Sequence, residues 1–171
     1  PDPGETAKVG TTLYVARDGR YLGCLVISDT IRQDTREAVA QLRTMGVKRM
    51  VMLTGDREET GKAVAEEIGL DEVYGGLLPA DKVTRVEKLL EEKPEGTTLG
   101  FVGDGINDAP VLSRADVGIA MGGIGSDAAV EAADMVIMTD EPSKICDAIA
   151  IARKTVGIVK QNIVFAIGVK V

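Results

Sequence analysis

Apolar and β-branched residues dominate two short runs near the start of the chain, 12–16 and 21–27, with Asp18-Gly19 between them. Asp-Gly between such runs is a strong hairpin signal, so a β-hairpin is expected over residues 11–28. After Ser28-Asp29-Thr30 the period changes. Ala38, Leu42 and Met45 recur at i, i+4 and i+7, the stripe of an amphipathic helix, and Gly46 marks its end.

From Val47 onward, apolar runs and helical stripes alternate. Residues 47–53 form a short apolar run, the mark of a strand buried on both faces. Asp56, with Glu59 three residues on, reads as a capping box for a helix with Thr60, Ala63, Val64 and Ile68 inward and Gly69 as its stop. Residues 72–74 make a minimal strand. Pro79 suits the first turn of a helix lined by Val83, Val86 and Leu90 that runs to Pro94. Strands are expected at 97–102, 117–121 and 135–138, with a short helix over 126–132. Ser143 is expected to cap a long helix with Ile145, Ile149, Ala152 and Val156 inward.

Strands separated by helices of this length build βαβ units and a mostly parallel sheet. Ligands of such sheets lie beyond the carboxyl ends of the strands. Chemistry is therefore sought after Leu53, Val102 and Met121. The one organisational boundary falls near residues 28–32, where the hairpin pattern ends. The uniformly apolar run 163–169 is too short to span a bilayer. It reads either as a core-facing helix end or as the first turns of a transmembrane helix.

Composition narrows the field. Hydrophobic residues make up 44% and charged residues 27%, the balance of a folded domain. Aromatics are 3% and Trp is absent, so Val, Ile, Leu, Met and Ala must build the core. A net charge of −7 argues against a nucleic-acid partner, which calls for clustered Lys and Arg. The chain has no His, which excludes a Ser-His-Asp triad and any histidine metal ligand. Its two cysteines, Cys24 and Cys146, lie far apart and in no C-x-x-C motif, so neither a disulfide nor a zinc site is expected. The opening Pro1-Asp2-Pro3-Gly4-Glu5 lacks signal-peptide character.

The densest polar constellation is Gly103-Asp104-Gly105-Ile106-Asn107-Asp108-Ala109-Pro110. Two carboxylates and an amide directly after a strand are hard oxygen donors. They suit Mg²⁺, which takes one or two carboxylates, waters and substrate phosphate; a polar turn with an Asp helix cap is the alternative. Thr54-Gly55-Asp56 also follows a strand. Its hydroxyl and the free amides of the next helix can hold phosphate oxygens, or it is a capped turn. Lys82, near a helix start, works against the macrodipole unless an anion sits beside it; the alternative is a solvated side chain. Gly123-Ile124-Gly125-Ser126-Asp127-Ala128 fits G-x-G-x-x-A, but it falls late in the sheet, and close helix–strand packing explains its glycines better.

Taken in order and spacing, Thr54-Gly55-Asp56, Lys82 and the Gly103–Pro110 motif resemble the P-type ATPases, within the haloacid dehalogenase superfamily. Gly118-Ile119-Ala120-Met121-Gly122, Gly125-Ser126-Asp127-Ala128-Ala129, Glu131-Ala132-Ala133-Asp134, Gln161-Asn162-Ile163-Val164-Phe165-Ala166 and Lys170 resemble the zinc/cadmium/lead group of the heavy-metal branch.

The resemblance implies a three-layer, Rossmann-like α/β haloacid dehalogenase fold with a mostly parallel sheet, incomplete, plus an N-terminal hairpin. It divides the chain into the last hairpin of a nucleotide-binding domain (1–28), a phosphorylation domain (29–160) and the start of a transmembrane helix (161–171). It implies ATP hydrolysis through an aspartyl phosphate, coupled to export of a divalent heavy metal. Asp104 would hold Mg²⁺ with Asp108 in support. Thr54, Lys82 and Asn107 would contact the phosphoryl group, with Gly55 and Asp56 completing their motif. The family's Asp-Lys-Thr-Gly-Thr phosphorylation segment is absent, so the resemblance makes this chain either a piece of a pump or a chain whose missing parts another chain supplies. That pump's upstream remainder would supply the nucleophile, the nucleotide domain and the membrane helices, with this segment on the cytoplasmic side of a cell membrane. A soluble phosphatase of the same superfamily would need Asp-x-Asp, which the sequence lacks; a non-catalytic Mg²⁺-binding module is the other alternative.

Overall fold

Two residues with positive φ, Asp18 at 50° and Gly19 at 75°, turn the chain between β1 (Thr11–Arg17) and β2 (Arg20–Ile27). That is the I′ geometry expected of Asp-Gly, and its twist matches an antiparallel pair. The register shifts between Val15 and Ala16, a bulge. A computed structural model of the chain describes residues 11–27, 31–103, 106–122 and 127–170. The hairpin forms one compact unit, and the chain from Gln33 onward forms another.

In the second unit every described strand pairing is parallel. Helix α1 (Gln33–Thr44) leads into β3 (Val51–Leu53), and α2 (Glu58–Ile68) into β4 (Glu72–Tyr74), which pairs with β3. Helix α3 (Pro79–Glu92) precedes β5 (Gly100–Gly103). A 3₁₀ turn (Ile106–Asp108) and α4 (Ala109–Leu112) then lead to β6 (Val117–Met121). Helix α5 (Asp127–Ala132), β7 (Met135–Ile137) and α6 (Ser143–Lys170) complete the order. β5, β6 and β7 form a ladder in that order; among the described residues it stays separate from the β3–β4 ladder.

The layers follow from the two faces of β6. Ala120 packs with Leu112 of α4 and Ala129 of α5. Ile119, one residue earlier and so on the opposite face, packs with Ile137, Ile145 of α6 and Leu42 of α1. Helices thus cover both faces of this part of the sheet. Gly118 carries no side chain because a Cβ there would stand 2.5 Å from the Leu112 carbonyl oxygen.

Three aspartates share one structural task. Asp71, Asp116 and Asp134 each stand just before a strand and accept a hydrogen bond from a backbone N–H of the neighbouring strand or its lead-in. The donors are Met50 at 2.7 Å, Leu99 at 2.8 Å and Gly118 at 2.8 Å. They satisfy the amino-terminal ends of the ladders, opposite the edge where ligands are expected. Arg43 pairs with Asp71 at 2.8 Å and Lys93 with Asp116 at 2.7 Å.

Several expectations are corrected. Asp56 does not cap α2: the cap position is Arg57, with no side-chain cap bond, because the Asp56 carboxylate is turned back to the Thr54 hydroxyl at 3.2 Å. The buried face of α2 is Gly61, Ala65 and Ile68, and Ala63 is exposed. Gly69 does end it, in the left-handed conformation at φ 83°. The strand expected at 47–53 shortens to β3, and that expected at 97–102 is β5, which starts at Gly100 and ends at Gly103. Ser143 is the first helical residue of α6. Ala152 and Val156 are exposed, since only the first turns of α6 reach the sheet and the rest runs past it. Among the described residues no helix is long and apolar enough to cross a membrane.

Candidate functional site

The carboxyl end of β3 delivers Thr54 into a loop held on two sides. Its N–H donates to the Tyr74 carbonyl at 3.0 Å, and its own carbonyl accepts from Leu77 N–H at 3.1 Å. The Thr54 hydroxyl accepts from Asp56 N–H at 3.1 Å, closing a tight turn. The Asp56 carbonyl accepts from Gly76 N–H at 2.6 Å. Gly55 and Asp56 are exposed and Thr54 half-buried. The segment after β4 therefore straps this loop and then turns directly into α3.

Leu78 caps α3 in extended geometry, Pro79 opens its first turn, and the Asp81 carboxylate accepts from Leu78 N–H at 3.0 Å. This fixes the start of the helix one turn before Lys82. The Lys82 ammonium lies 2.9 Å from Asp108 Oδ1, with side-chain exposures of 19% and 12%. Lys82 is therefore not the solvated side chain that a lone helix lysine usually is. Asp108 reaches it from the 3₁₀ turn beyond β5, where it sits at the cap of α4 without making a side-chain cap bond. Gly103 permits the approach: a Cβ there would lie 2.9 Å from the Asp108 Cβ.

The structure thus brings together Lys82 and Asp108, and separately Thr54 and Asp56, at the carboxyl edge of the strands. Asn107 is exposed beside Asp108. Asp104, the expected Mg²⁺ ligand, lies outside the described residues, as does most of the G-x-G-x-x-A segment. Among the described residues no group of three or more His, Cys, Asp or Glu forms a metal cage. Among the described residues Asp108 and the neighbouring Asn107 bring a carboxylate and an amide oxygen to this edge, hard donors of the kind that Mg²⁺ takes alongside waters and substrate phosphate.

Residues 2–116 match the family described as haloacid dehalogenase-like hydrolase. The chain belongs to this family. It is 57% identical over 168 residues to the cadmium, zinc and cobalt-transporting ATPase of Bacillus subtilis (strain 168), covering 98% of this chain and 24% of that protein. It is 57% identical over 162 residues to the zinc-transporting ATPase of Synechocystis sp. (strain ATCC 27184 / PCC 6803 / Kazusa), covering 94% of this chain and 22% of that one. The crystal structure of a zinc-transporting PIB-type ATPase in the E2.Pi state superposes with a TM-score of 0.80 at 42% identity, over 93% of this chain and 25% of that chain. The haloacid dehalogenase-like chain therefore spans about a quarter of the length of these relatives.

Sequence reasoning missed Tyr74 and Asp140. Tyr74 holds Thr54 through a backbone carbonyl, which leaves no sequence signal. Asp140 lies against Gly122 at the carboxyl end of β6, where an added Cβ would meet its Oδ1 at 2.6 Å. A lone Asp after a strand does not announce that contact.

Proposed function

We propose that this chain is the phosphorylation-domain segment of a P-type ATPase that exports a divalent heavy metal, with zinc, cadmium or lead as its cargo. The observation that carries the reading is the Lys82–Asp108 pair. Two motifs far apart in sequence place a cation and a carboxylate together at the sheet edge where parallel α/β folds bind ligands. Phosphoryl transfer chiefly requires positioning and charge neutralisation.

In this reading Asp104 is the principal Mg²⁺ ligand and Asp108 supports it while holding Lys82 in place. Thr54, Lys82 and Asn107 hold the phosphoryl oxygens. Mg²⁺, when bound, supplies charge neutralisation between the oxygens of ATP and the accepting carboxylate. That carboxylate belongs to an Asp-Lys-Thr-Gly-Thr segment, which the 171 residues do not contain. The two separate parallel ladders support this assignment. Among the described residues β3 pairs with β4 alone and β5 with β6 alone, so each has a second edge at which a further strand would pair. Residues 1–28 belong to a nucleotide-binding domain and 29–160 to the phosphorylation domain, facing the cytoplasm.

The segment from Gln161 enters the bilayer in the whole pump. Ile163, Val164, Phe165, Ile167 and Val169 are all exposed on α6, an apolar surface unsuited to water. Free labelling of a cysteine placed at Ile167 by a membrane-impermeant reagent, applied to the folded pump from the cytosolic side, would contradict this placement.

The deciding experiment is Mg²⁺ titration of phosphoenzyme yield in the whole pump. Asp104→Asn raises the Mg²⁺ midpoint, and Asp108→Asn lowers turnover with a smaller shift. An unchanged midpoint in Asp104→Asn with a shifted one in Asp108→Asn reverses the assignment. The isolated chain takes no acid-stable label from γ-labelled ATP; stoichiometric labelling on a carboxylate would overturn the reading in favour of a self-sufficient enzyme.

A further inference from the structure

Tyr74 touches both halves of the phosphate-facing edge. Its carbonyl accepts from Thr54 N–H at 3.0 Å. Its ring lies under Arg85 of α3, whose Cζ stands 3.6 Å from the ring centroid. Arg85 follows Lys82 by one helical turn, so whatever fixes Arg85 also fixes the rotation and height of Lys82. The Arg85 Nε is buried with no hydrogen-bond partner. The ring face holds this guanidinium, with the Glu72 carboxylate near enough to interact with its charge, and a lysine ammonium would not match the stacking.

The far side of the ring is anchored as well. The Tyr74 hydroxyl donates to Glu72 Oε2 at 2.8 Å. Glu72 takes two bonds from Arg49, at 2.6 and 2.9 Å, and Arg49 reaches Glu92, the last residue of α3, at 3.2 Å. Helix α3 is thus tied to the β3–β4 ladder at Arg85 and again at its carboxyl end, with Val86 and Leu89 buried beneath it.

We propose that the Tyr74–Arg85 stack is a positioning device that registers Lys82 against the Thr54 loop, so that both meet the same phosphoryl group. Tyr74 and Arg85 are positioning residues and touch no reacting atom. The inference rests on the phosphoryl-transfer reading of the site. Its signature is non-additivity: if the stack acts through Lys82, removing it costs nothing more once Lys82 is gone.

The test is a double-mutant cycle on phosphoenzyme formation from ATP in the whole pump, with thermal unfolding of each variant measured alongside. Tyr74→Leu and Arg85→Met each slow phosphoenzyme formation about fivefold, the rate equivalent of a partly desolvated cation–π contact. Tyr74→Phe, which keeps the ring and loses only the bond to Glu72, slows the reaction much less than Tyr74→Leu, and Arg85→Lys recovers little. In the Lys82→Ala background, Tyr74→Leu has no additional effect. Full additivity of Tyr74→Leu with Lys82→Ala, or rate losses that follow only the fall in unfolding temperature, overturns the positioning role. A wild-type rate in Lys82→Ala itself overturns the underlying reading instead. Should Tyr74→Leu fail to fold, the cycle between Arg85→Met and Lys82→Ala decides the same question, because Arg85 supplies only the upper half of the stack.

Discussion

Lys82 and Asp108, 26 positions apart in the chain, meet at 2.9 Å at the carboxyl edge of the strands with both side chains mostly shielded from solvent. One comes from the second turn of α3 and the other from the turn beyond β5. The contact therefore reports how these elements are held together as well as the chemistry of the site.

Breaking this pair on one side leaves a shielded charge without a partner. Lys82→Met is expected to destabilise the folded chain by about 2–3 kcal/mol, less than a fully buried pair because both groups keep some solvent. Lys82→Met combined with Asp108→Leu recovers most of that loss, since neither charge then remains. Urea unfolding of the two single variants and the double variant measures it; a double variant no more stable than Lys82→Met refutes the account.

Function separates from stability at the same residue. If the proposed function holds, Lys82→Ala is expected to slow phosphoenzyme formation in the whole pump by about 10²–10³, the usual cost of removing one preorganised electrostatic contact. Lys82→Arg does not restore the rate, because the planar guanidinium is larger and cannot reproduce a compact ammonium beside Asp108. Quench-flow phosphorylation of the two variants gives the numbers.

Acid sensitivity is set at the opposite edge of the ladders. The Arg49 guanidinium, with the Tyr74 hydroxyl, lowers the Glu72 carboxyl to about 2. Arg43 with Met50 N–H, and Leu99 N–H with Lys93, hold Asp71 and Asp116 below the usual carboxylate range. These folded-state values lie below the unfolded ones, near 4. The unfolded chain therefore binds more protons below about pH 4, and the stability present at neutral pH is lost as pH falls toward 2. Urea midpoints measured from pH 7 to 2.5 should fall along that limb. Asp116→Asn should lower the neutral-pH midpoint and flatten the limb. The effect is modest because all three side chains are about a third exposed.

Two glycines separate close packing from chain flexibility. Gly118→Ala places a Cβ 2.5 Å from a backbone oxygen of α4 and is expected to cost about 1–3 kcal/mol as strand and helix are forced apart. Gly157, inside α6, has nothing within 4 Å of an added Cβ. Gly157→Ala should stabilise the isolated chain by up to about 1 kcal/mol through helix propensity. Paired thermal melts would show shifts of opposite sign.

Much of the element order was legible because it rests on local signals. Asp18-Gly19 alone specifies a I′ turn, Pro79 a helix start, Gly69 a helix stop, and apolar runs between polar stripes a parallel α/β sheet. The motifs stood out for the same reason, as polar residues directly after strands, although the sequence left a capped or polar turn as the alternative for each. The misassignments arose where a residue had a choice of partner. Asp56 looked like a helix cap because its spacing to Glu59 suits one, yet its carboxylate bonds Thr54 instead. Ala152 and Val156 follow the helical stripe of α6, but a stripe does not say where the sheet beneath it stops.

By itself the sequence determined most of the order of elements, the Asp18-Gly19 turn, and that Thr54, Lys82, Asn107 and Asp108 are the candidates for the site, because each depends on neighbours a few residues away. Only the tertiary structure decided that Lys82 is desolvated against Asp108, that Tyr74 links Thr54 to α3 through Arg85, and that Asp71, Asp116 and Asp134 satisfy the starts of neighbouring strands. Those outcomes depend on which strand lies beside which and how far a helix is rotated over them. Packing of the whole unit sets both, and no local stretch of chain encodes either.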